Sequence, residues 1–221
     1  MKCRKQVAFP LVGLLGLLGM LGAALLIASV GVAATQSGVK QTEKLAKRAE
    51  DTVKAIEETK QQLERTLNLY NTIVQNKAED TKKAYKDLGN WIKDSEKKRA
   101  NVGNKAEEME KEAHVFFAEW TQSLDGMTNP DLRKRSQDRL NDTRVRYGEI
   151  LRVGRQAGGE FDAFIQSLQD QVVYLGYDLN PAAFKSLAGD AKNVNAQAAT
   201  MFTKLSETTK LANEYIASLK P

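Results

Sequence analysis

Apolar residues recur along most of the chain in alternating steps of three and four positions. The spacing begins near Val39 and continues almost to the C-terminus. Such a heptad-like repeat puts apolar residues on one face of a helix and is typical of coiled-coil packing. The sequence therefore predicts an all-α protein with long helices over about residues 39–75, 79–124, 130–176 and 182–219.

The apolar stripes are wider than a two-stranded coiled coil requires. The second stripe passes through Arg99 and ends at Trp120, and the third begins at Leu132. Further apolar residues lie beside the stripes, namely Trp91, Phe117, Leu151, Val172, Phe202, Leu211 and Ile216. A stripe of this width faces more than one neighbouring helix, as it does in a four-helix bundle.

Residues that end and start helices separate the stripes. Asp125-Gly126 ends the second helix, and Thr128-Asn129-Pro130-Asp131 starts the third with a capping residue, a proline in the first turn and an acid facing the helix dipole. The segment from Asp178 to Pro181 repeats this chemistry before the fourth helix. Because the connections are about 3–6 residues long, successive helices should be antiparallel neighbours. We predict an elongated, antiparallel four-helix bundle.

The first 34 residues differ in kind from the rest of the chain. Lys2, Arg4 and Lys5 precede an uncharged apolar run over residues 7–34. The positive-inside rule keeps such a basic stub in the cytoplasm, and the run exceeds the about 20 residues that span a bilayer. We expect a hydrophobic anchor or signal helix over residues 1–34, followed by a helical-bundle domain over residues 35–221.

The positive net charge is partly a consequence of this N-terminal segment. The chain carries 33 Lys and Arg against 28 Asp and Glu, a net charge of +5. Residues 1–34 contain three of the basic residues and no acid, so the rest of the chain has 30 basic against 28 acidic residues. A domain so close to neutral, with no groove-reading motif, predicts no nucleic-acid partner.

Few side chains in the sequence could carry chemistry. The single Cys cannot form an internal disulfide, and the single His cannot supply the paired ligands of a di-iron bundle. Glu110 and His114 stand four positions apart on one helix, but they would be only two ligands for a metal. We identify no catalytic set, metal site, cofactor or small-molecule substrate, and we expect the protein not to be an enzyme.

Arginine is concentrated in the third predicted helix. Seven of the eleven arginines lie between Arg133 and Arg155. The inner two helices are longer than the outer two, so their hairpin should extend about 12 Å beyond the end of the bundle nearest the anchor. That hairpin carries Arg133, Lys134, Arg135 and Arg139, our candidates for contact with anionic lipid or a partner protein. The interleaved acids, such as Asp138, favour instead a salt-bridged and solvated face.

Gly154, Gly158 and Gly159 lie close together inside the third helix. Each costs about 1 kcal/mol of helix stability against alanine. They indicate a kink, a close helix crossing or a hinge, and the sequence does not choose among these.

Several short motifs in the second half of the chain resemble a known family. They are Phe117-x-x-Trp120, Asn129-x-x-Leu132-Arg133, Thr143-Arg144-x-Arg146-Tyr147, the run from Asp170 to Leu175, Leu179-Asn180 and Ser186-Leu187. They resemble the bacterial domain of unknown function 2959 family, whose members are exported, often lipid-anchored, coiled-coil proteins. This chain lacks the lipobox Cys of many relatives, which favours a peptide anchor. The resemblance implies a bacterial source and an exported helical protein, and it implies no activity.

These features together favour a non-enzymatic, membrane-tethered bundle that acts as a scaffold or interaction module in the bacterial envelope. We expect a single-pass anchor in the inner membrane through residues 7–34, with the C-terminal domain in the periplasm. In the alternative, cleavage near Ala34 releases a soluble periplasmic bundle. The expected partner is an envelope protein or a second copy of the chain. Two further hypotheses are an anionic-lipid binder acting through the tip of the 124–135 hairpin, and a sensory-type helical bundle.

Overall fold

The computed structural model of the chain describes the backbone of residues 27–220 and the side chains of residues 37–220. Its α-helices are α1 (Ile27–Val74), α2 (Thr81–Ser123), α3 (Pro130–Tyr177), α4 (Pro181–Ser186) and α5 (Ala188–Leu219). A single 3-10 turn, Leu124–Gly126, follows α2. No strand occurs over residues 27–220, so the all-α prediction is confirmed. The predicted anchor lies outside the residues whose side chains are described.

Two helix boundaries differ from those that the sequence predicts. α1 is already helical at Ile27, the first residue described, and so extends N-terminal to the predicted start near residue 39, because residues 27–38 contain no proline and include helix-forming alanines. The fourth predicted helix is divided at Leu187 into α4 and α5. The N–H of Leu187 donates to the Ala183 carbonyl, and the Leu187 carbonyl accepts from the N–H of Ala191 at 2.8 Å. Leu187 thus ends one helix and begins the next.

Side-chain caps fix where three of the helices begin. Asp80 accepts a backbone N–H at the start of α2. Asn129 and Asn180 each accept two backbone N–H groups at the starts of α3 and α4, and a proline follows each of them. These caps satisfy N–H groups that have no partner within the first turn. Beyond the end of α1, Asn76 has a φ of 55°, the left-handed conformation that commonly follows a helix.

The four long helices pack side by side, each antiparallel to the next. The facing residues are Arg48–Glu108 and Glu58–Lys98 for α1 and α2, Trp120–Ser136 and Tyr85–Val172 for α2 and α3, Gly154–Thr208 and Tyr174–Ser186 for α3 with α4–α5, and Lys60–Ser206 and Asn71–Asn195 for α1 and α5. In every pair of helices one residue number rises as the other falls. The helices therefore close a ring around a shared interior.

The interior of the bundle consists of two hydrophobic cores. The distal core, next to the α1–α2 and α3–α4 connections, has 20 buried residues, including Leu63, Tyr70, Leu88, Phe164 and Met201. The proximal core, toward the α2–α3 connection, has 10. These are Leu45, Ala49, Met109, Ala113, Phe116, Tyr147, Ile150, Ala212, Tyr215 and Ile216.

Between the two cores lie three buried threonines, Thr52, Thr208 and Thr209, together with the fully buried Val153. α3 stays helical through Gly154, Gly158 and Gly159. A Cβ at Gly158 would stand 2.8 Å from Nη2 of Arg99, whereas one at Gly159 would meet nothing within 4 Å. Gly158 therefore makes a close crossing with Arg99, whose guanidinium lies 6.0 Å from the ring centroid of Phe161.

Candidate functional site: the α2–α3 hairpin end

The hairpin end, residues 120–139, comprises the last turn of α2, the 3-10 turn and the first turns of α3. Leu124 turns into the protein and is buried, which holds the 3-10 turn against the helices. Asn129 then caps α3. The indole Nε1 of Trp120 donates to Oγ of Ser136 at 2.9 Å and joins the two helices directly. The connection is therefore fixed by hydrogen bonds and by one buried leucine.

An open concavity of about 720 Å³ lies on the hairpin end. It is lined by Trp120, Gly126, Met127, Thr128, Asn129, Leu132, Ser136 and Arg139. Leu132 is 52% exposed. The sequence prediction that Leu132 lies on a buried stripe is wrong, because α5 ends before it reaches this level of α3.

The relative lengths of α3 and α5 show how far the hairpin extends. The rings of Tyr147 and Tyr215 face each other with centroids 6.0 Å apart. From that level α5 ends at Leu219, whereas α3 continues to Pro130. At 1.5 Å per residue the difference is about 20 Å. The hairpin end thus extends well past the C-terminal end of α5.

Two of the four predicted contact residues are paired with acids. Nη2 of Arg133 lies 3.2 Å from Oδ1 of Asp125, across the connection. Nζ of Lys134 lies 2.9 Å from Oδ2 of Asp138, one turn along α3. The hydrogen bond and the charge of Asp138 raise the pKa of the Lys134 ammonium. Local carboxylates therefore offset much of the positive charge of these two side chains.

The other two predicted contact residues have no carboxylate partner among residues 37–220. Nε of Arg135 donates to the backbone carbonyl of Asp131 at 3.4 Å. Arg139 lines the concavity, and Arg146 is exposed beyond it on α3. None of these three guanidinium groups makes a salt bridge in the described part of the chain. The uncompensated positive charge thus lies at Arg135, Arg139 and Arg146.

Arg144 reinforces the hairpin instead of contributing free charge. Its guanidinium lies 5.5 Å from the ring centroid of Phe117 on α2. Nη2 also donates to Oγ1 of Thr121 at 2.7 Å. A cation–π contact of this kind contributes about 0.5–1 kcal/mol at an exposed site.

Sequence reasoning missed the apolar lining of the concavity. The heptad pattern assigns Trp120 and Leu132 to buried stripes and Met127 to the connection. Helix lengths carry the missing signal, since a stripe on α3 that continues past the end of α5 is not covered by α5 there.

Other sequence predictions concern chemistry and the membrane. His114 is exposed on α2, and no group of three or more His, Cys, Asp or Glu side chains among the described residues could hold a metal ion. No helix within that part of the chain combines the length and the hydropathy needed to cross a bilayer. The apolar run over residues 7–34 falls largely outside it.

Comparison with known proteins gives one family and no closer relative. The model of a family described as protein of unknown function (DUF2959) matches residues 32–219. No curated protein and no solved structure matches the chain. The match covers well over half of the sequence and confirms the resemblance drawn from the motifs. The chain therefore belongs to the DUF2959 family of proteins of unknown function.

Proposed function

We propose that this chain is a non-enzymatic, membrane-tethered helical bundle that acts as a scaffold or interaction module in the bacterial envelope. The hairpin end carries this proposal, because it presents an exposed apolar concavity beside arginines that have no carboxylate partner among residues 37–220. Leaving apolar surface in water costs about 25 cal/mol per Å², so a concave apolar surface rimmed by polar residues is typical of an interaction site. Leu132 and Arg139 are the central residues of this surface.

The charged contacts elsewhere in the bundle serve a different purpose. Arg48 pairs with Glu108 at 2.8 Å, and Lys98 pairs with Glu58 at 2.7 Å, both between α1 and α2. These pairs bring together side chains of neighbouring helices. The hairpin end differs because its free guanidinium groups hold no neighbouring helix in place.

The membrane tether is proposed from the sequence. Residues 7–34 are uncharged and follow a basic stub, so we place residues 35–221 in the periplasm. Cleavage near Ala34, which would leave a soluble periplasmic bundle, is the alternative. N-terminal sequencing of the mature protein decides between them, since the tether requires that Met1 and the apolar run are retained and cleavage predicts Thr35.

Photo-crosslinking in cells tests the hairpin end as the contact surface. A photoreactive residue is placed at Leu132 in the full chain, and the matched control places it at Val145, which is 72% exposed on the same helix. We expect a discrete protein adduct at Leu132, none at Val145, and loss of the adduct in Arg139→Glu. Adducts of equal strength at both positions, or at neither, would contradict the proposal.

An anionic lipid surface is the second candidate for what the hairpin end contacts. The observation that favours it is the combination of Leu132 with unpaired Arg135 and Arg139 at the extremity of a hairpin that passes α5. Anionic lipid attracts each nearby Lys or Arg by about 1 kcal/mol, and an apolar side chain can enter the interface beside them.

Flotation with vesicles separates this candidate from a protein partner. Residues 37–221, which contain both cores, are mixed with phosphatidylcholine vesicles with and without phosphatidylglycerol. We expect flotation only with phosphatidylglycerol, and its loss in Arg135→Glu/Arg139→Glu but not in the exposed control Arg65→Glu. Equal flotation of both variants would rule out the hairpin end as the lipid contact.

A further inference from the structure

A second concave surface lies at the end of α3 remote from the hairpin end. It is a cleft of about 430 Å³ between α3 and α4–α5. The residues that matter for its chemistry are Asp170, Gln171, Tyr174, Ser186, Asp190 and Gln197. We call it the acidic cleft, because two carboxylates line it and no Lys or Arg does.

Each hydroxyl group that lines the acidic cleft already donates a hydrogen bond within the protein. Oγ of Ser186 donates to the Ala183 carbonyl at 2.7 Å, so the phenol of Tyr174, 2.8 Å away, is the donor to Ser186. Oγ of Ser167 likewise donates to the Ala163 carbonyl at 3.0 Å. None of the hydroxyl groups that line the cleft is therefore free to donate a hydrogen bond to the carboxylates.

The oxygen acceptors in the acidic cleft are correspondingly under-used. Asp190 makes no salt bridge with any described residue, and of Asp170 only Oδ1 accepts, from Nε2 of Gln166 at 2.8 Å. Oε1 of Gln197 is buried and has no hydrogen-bond partner among residues 37–220. A buried oxygen without a donor costs about 1–3 kcal/mol. The cleft is therefore suited to a positively charged, donor-rich group.

The floor of the cleft also offers amide donors. Gln171 is only 8% exposed, and its Oε1 accepts from the phenol of Tyr70. That bond leaves the amide NH₂ of Gln171 without an acceptor among the described side chains, and Asn193 lines the same cleft. Burial and the charge of Asp190 raise the pKa of Tyr70, so its phenol keeps the proton that orients Gln171. Amide donors match the carbonyl groups of a peptide backbone.

One side of the cleft is aromatic and exposed. Tyr174, which lines the cleft from the last turns of α3, is 43% exposed. Aromatic faces attract ammonium groups, and the methylene stem of lysine covers apolar surface while its charged end reaches a carboxylate.

We propose that the acidic cleft binds a lysine-bearing peptide segment of a partner protein. The lysine ammonium lies at Asp170 and Asp190, its stem lies against Tyr174, and the peptide carbonyls accept from the amides of Gln171 and Asn193. This site is separate from the hairpin end and does not depend on the function proposed for it. The bundle would then carry a contact surface at each end of α3.

Fluorescence anisotropy with the purified full chain in a non-ionic detergent tests this site. The probe is a rhodamine-labelled peptide of five alternating alanines and lysines. We expect saturable binding that weakens at least tenfold in Asp170→Asn/Asp190→Asn and changes less than twofold in Asp142→Asn/Asp162→Asn. The control pair carries the same charge change at two exposed acids of α3. Circular dichroism establishes that both variants are folded.

Two further arms identify the ligand chemistry. A peptide whose lysines are acetylated should not bind, because it lacks the ammonium group. Spermidine should compete only weakly, because it has no carbonyl for the amide donors. No saturable binding of the lysine peptide, equal weakening in both double variants, or tight binding of spermidine without the peptide would overturn the proposal.

Discussion

The two cores of the bundle differ in size and in whether their buried tyrosine hydroxyls are hydrogen-bonded. Among the described residues the distal core has 20 buried members and the proximal core 10, so burial stabilises the distal half more. The distal phenol of Tyr70 donates to Gln171. The proximal phenols of Tyr147 and Tyr215 are buried without a hydrogen-bond partner in that part of the chain.

The two halves also differ in how completely the helices enclose them. The distal half is closed by four long helices and by α4, and its buried phenol, Tyr70, is hydrogen-bonded, while Nε of Arg99 and Oε1 of Gln197 there have no partner among residues 37–220. The proximal half leads into a hairpin that α5 does not cover, and its aromatic rings pack among unsatisfied oxygens. Local stability within one protein spans from near zero to the global value, and binding regions lie toward the low end. We infer that the proximal half opens first.

The largest expected effect compares one phenylalanine from each core. Phe164→Ala should lower the free energy of unfolding by about 4 kcal/mol, because it opens a cavity that four helices cannot fill. Phe116→Ala should cost about 3 kcal/mol, the lower end of the range for a buried phenylalanine, because the proximal half can collapse toward the open hairpin. Urea denaturation of both variants measures the difference.

Hydrogen exchange provides the control for that pair. Phe116→Ala should raise exchange mainly in residues 109–147, and Phe164→Ala should raise it throughout the bundle. Equal free-energy losses with the same exchange pattern would show that the cores unfold as one unit and would remove the distinction between them.

The next effect concerns the buried phenols. Tyr70→Phe removes a hydrogen bond and should cost about 1 kcal/mol, whereas Tyr147→Phe removes an unpaired buried hydroxyl and should stabilise by a similar amount. Urea denaturation at pH 7 gives both values. If Tyr147→Phe destabilises as much as Tyr70→Phe, its phenol has a partner, and the contrast between the cores is weaker.

Alkaline pH extends the same test. Burial raises the pKa of Tyr147 and Tyr215 above the ordinary value of 10.0, with a further contribution at Tyr147 from Glu110. The folded protein keeps these two protons at a pH at which the unfolded chain has lost them. The contribution of the two phenols to the free energy of unfolding is therefore complete below pH 10 and falls as the pH rises above 10. Between the two pKa values the free energy of unfolding falls by about 1.4 kcal/mol per pH unit for each tyrosine. Tyr147→Phe/Tyr215→Phe should flatten the decline between pH 10 and 11.

The sequence predicts the helices far better than it predicts the hairpin end. Heptad spacing and capping residues such as Asn129 act within a few positions, so they can be identified without knowing the tertiary structure. The pairing of Lys134 with Asp138 is also local, four positions along one helix. The pairing of Arg133 with Asp125 and the exposure of Leu132 depend on the connection and on where α5 ends. The acidic cleft depends on the register between α3 and α5, which no local pattern specifies.

The smallest expected effect lies in the distal half, at two adjacent glycines of α3. A Cβ at Gly159 meets open space, so Gly159→Ala should stabilise by about 1 kcal/mol through helix propensity. Gly158→Ala gains the same helix propensity, but its Cβ displaces the guanidinium of Arg99 from the ring of Phe161. Its free energy of unfolding should therefore be about 1 kcal/mol lower than that of Gly159→Ala. The difference should vanish in an Arg99→Met background, measured by urea denaturation. If it persists there, backbone crowding rather than Arg99 requires glycine at this crossing.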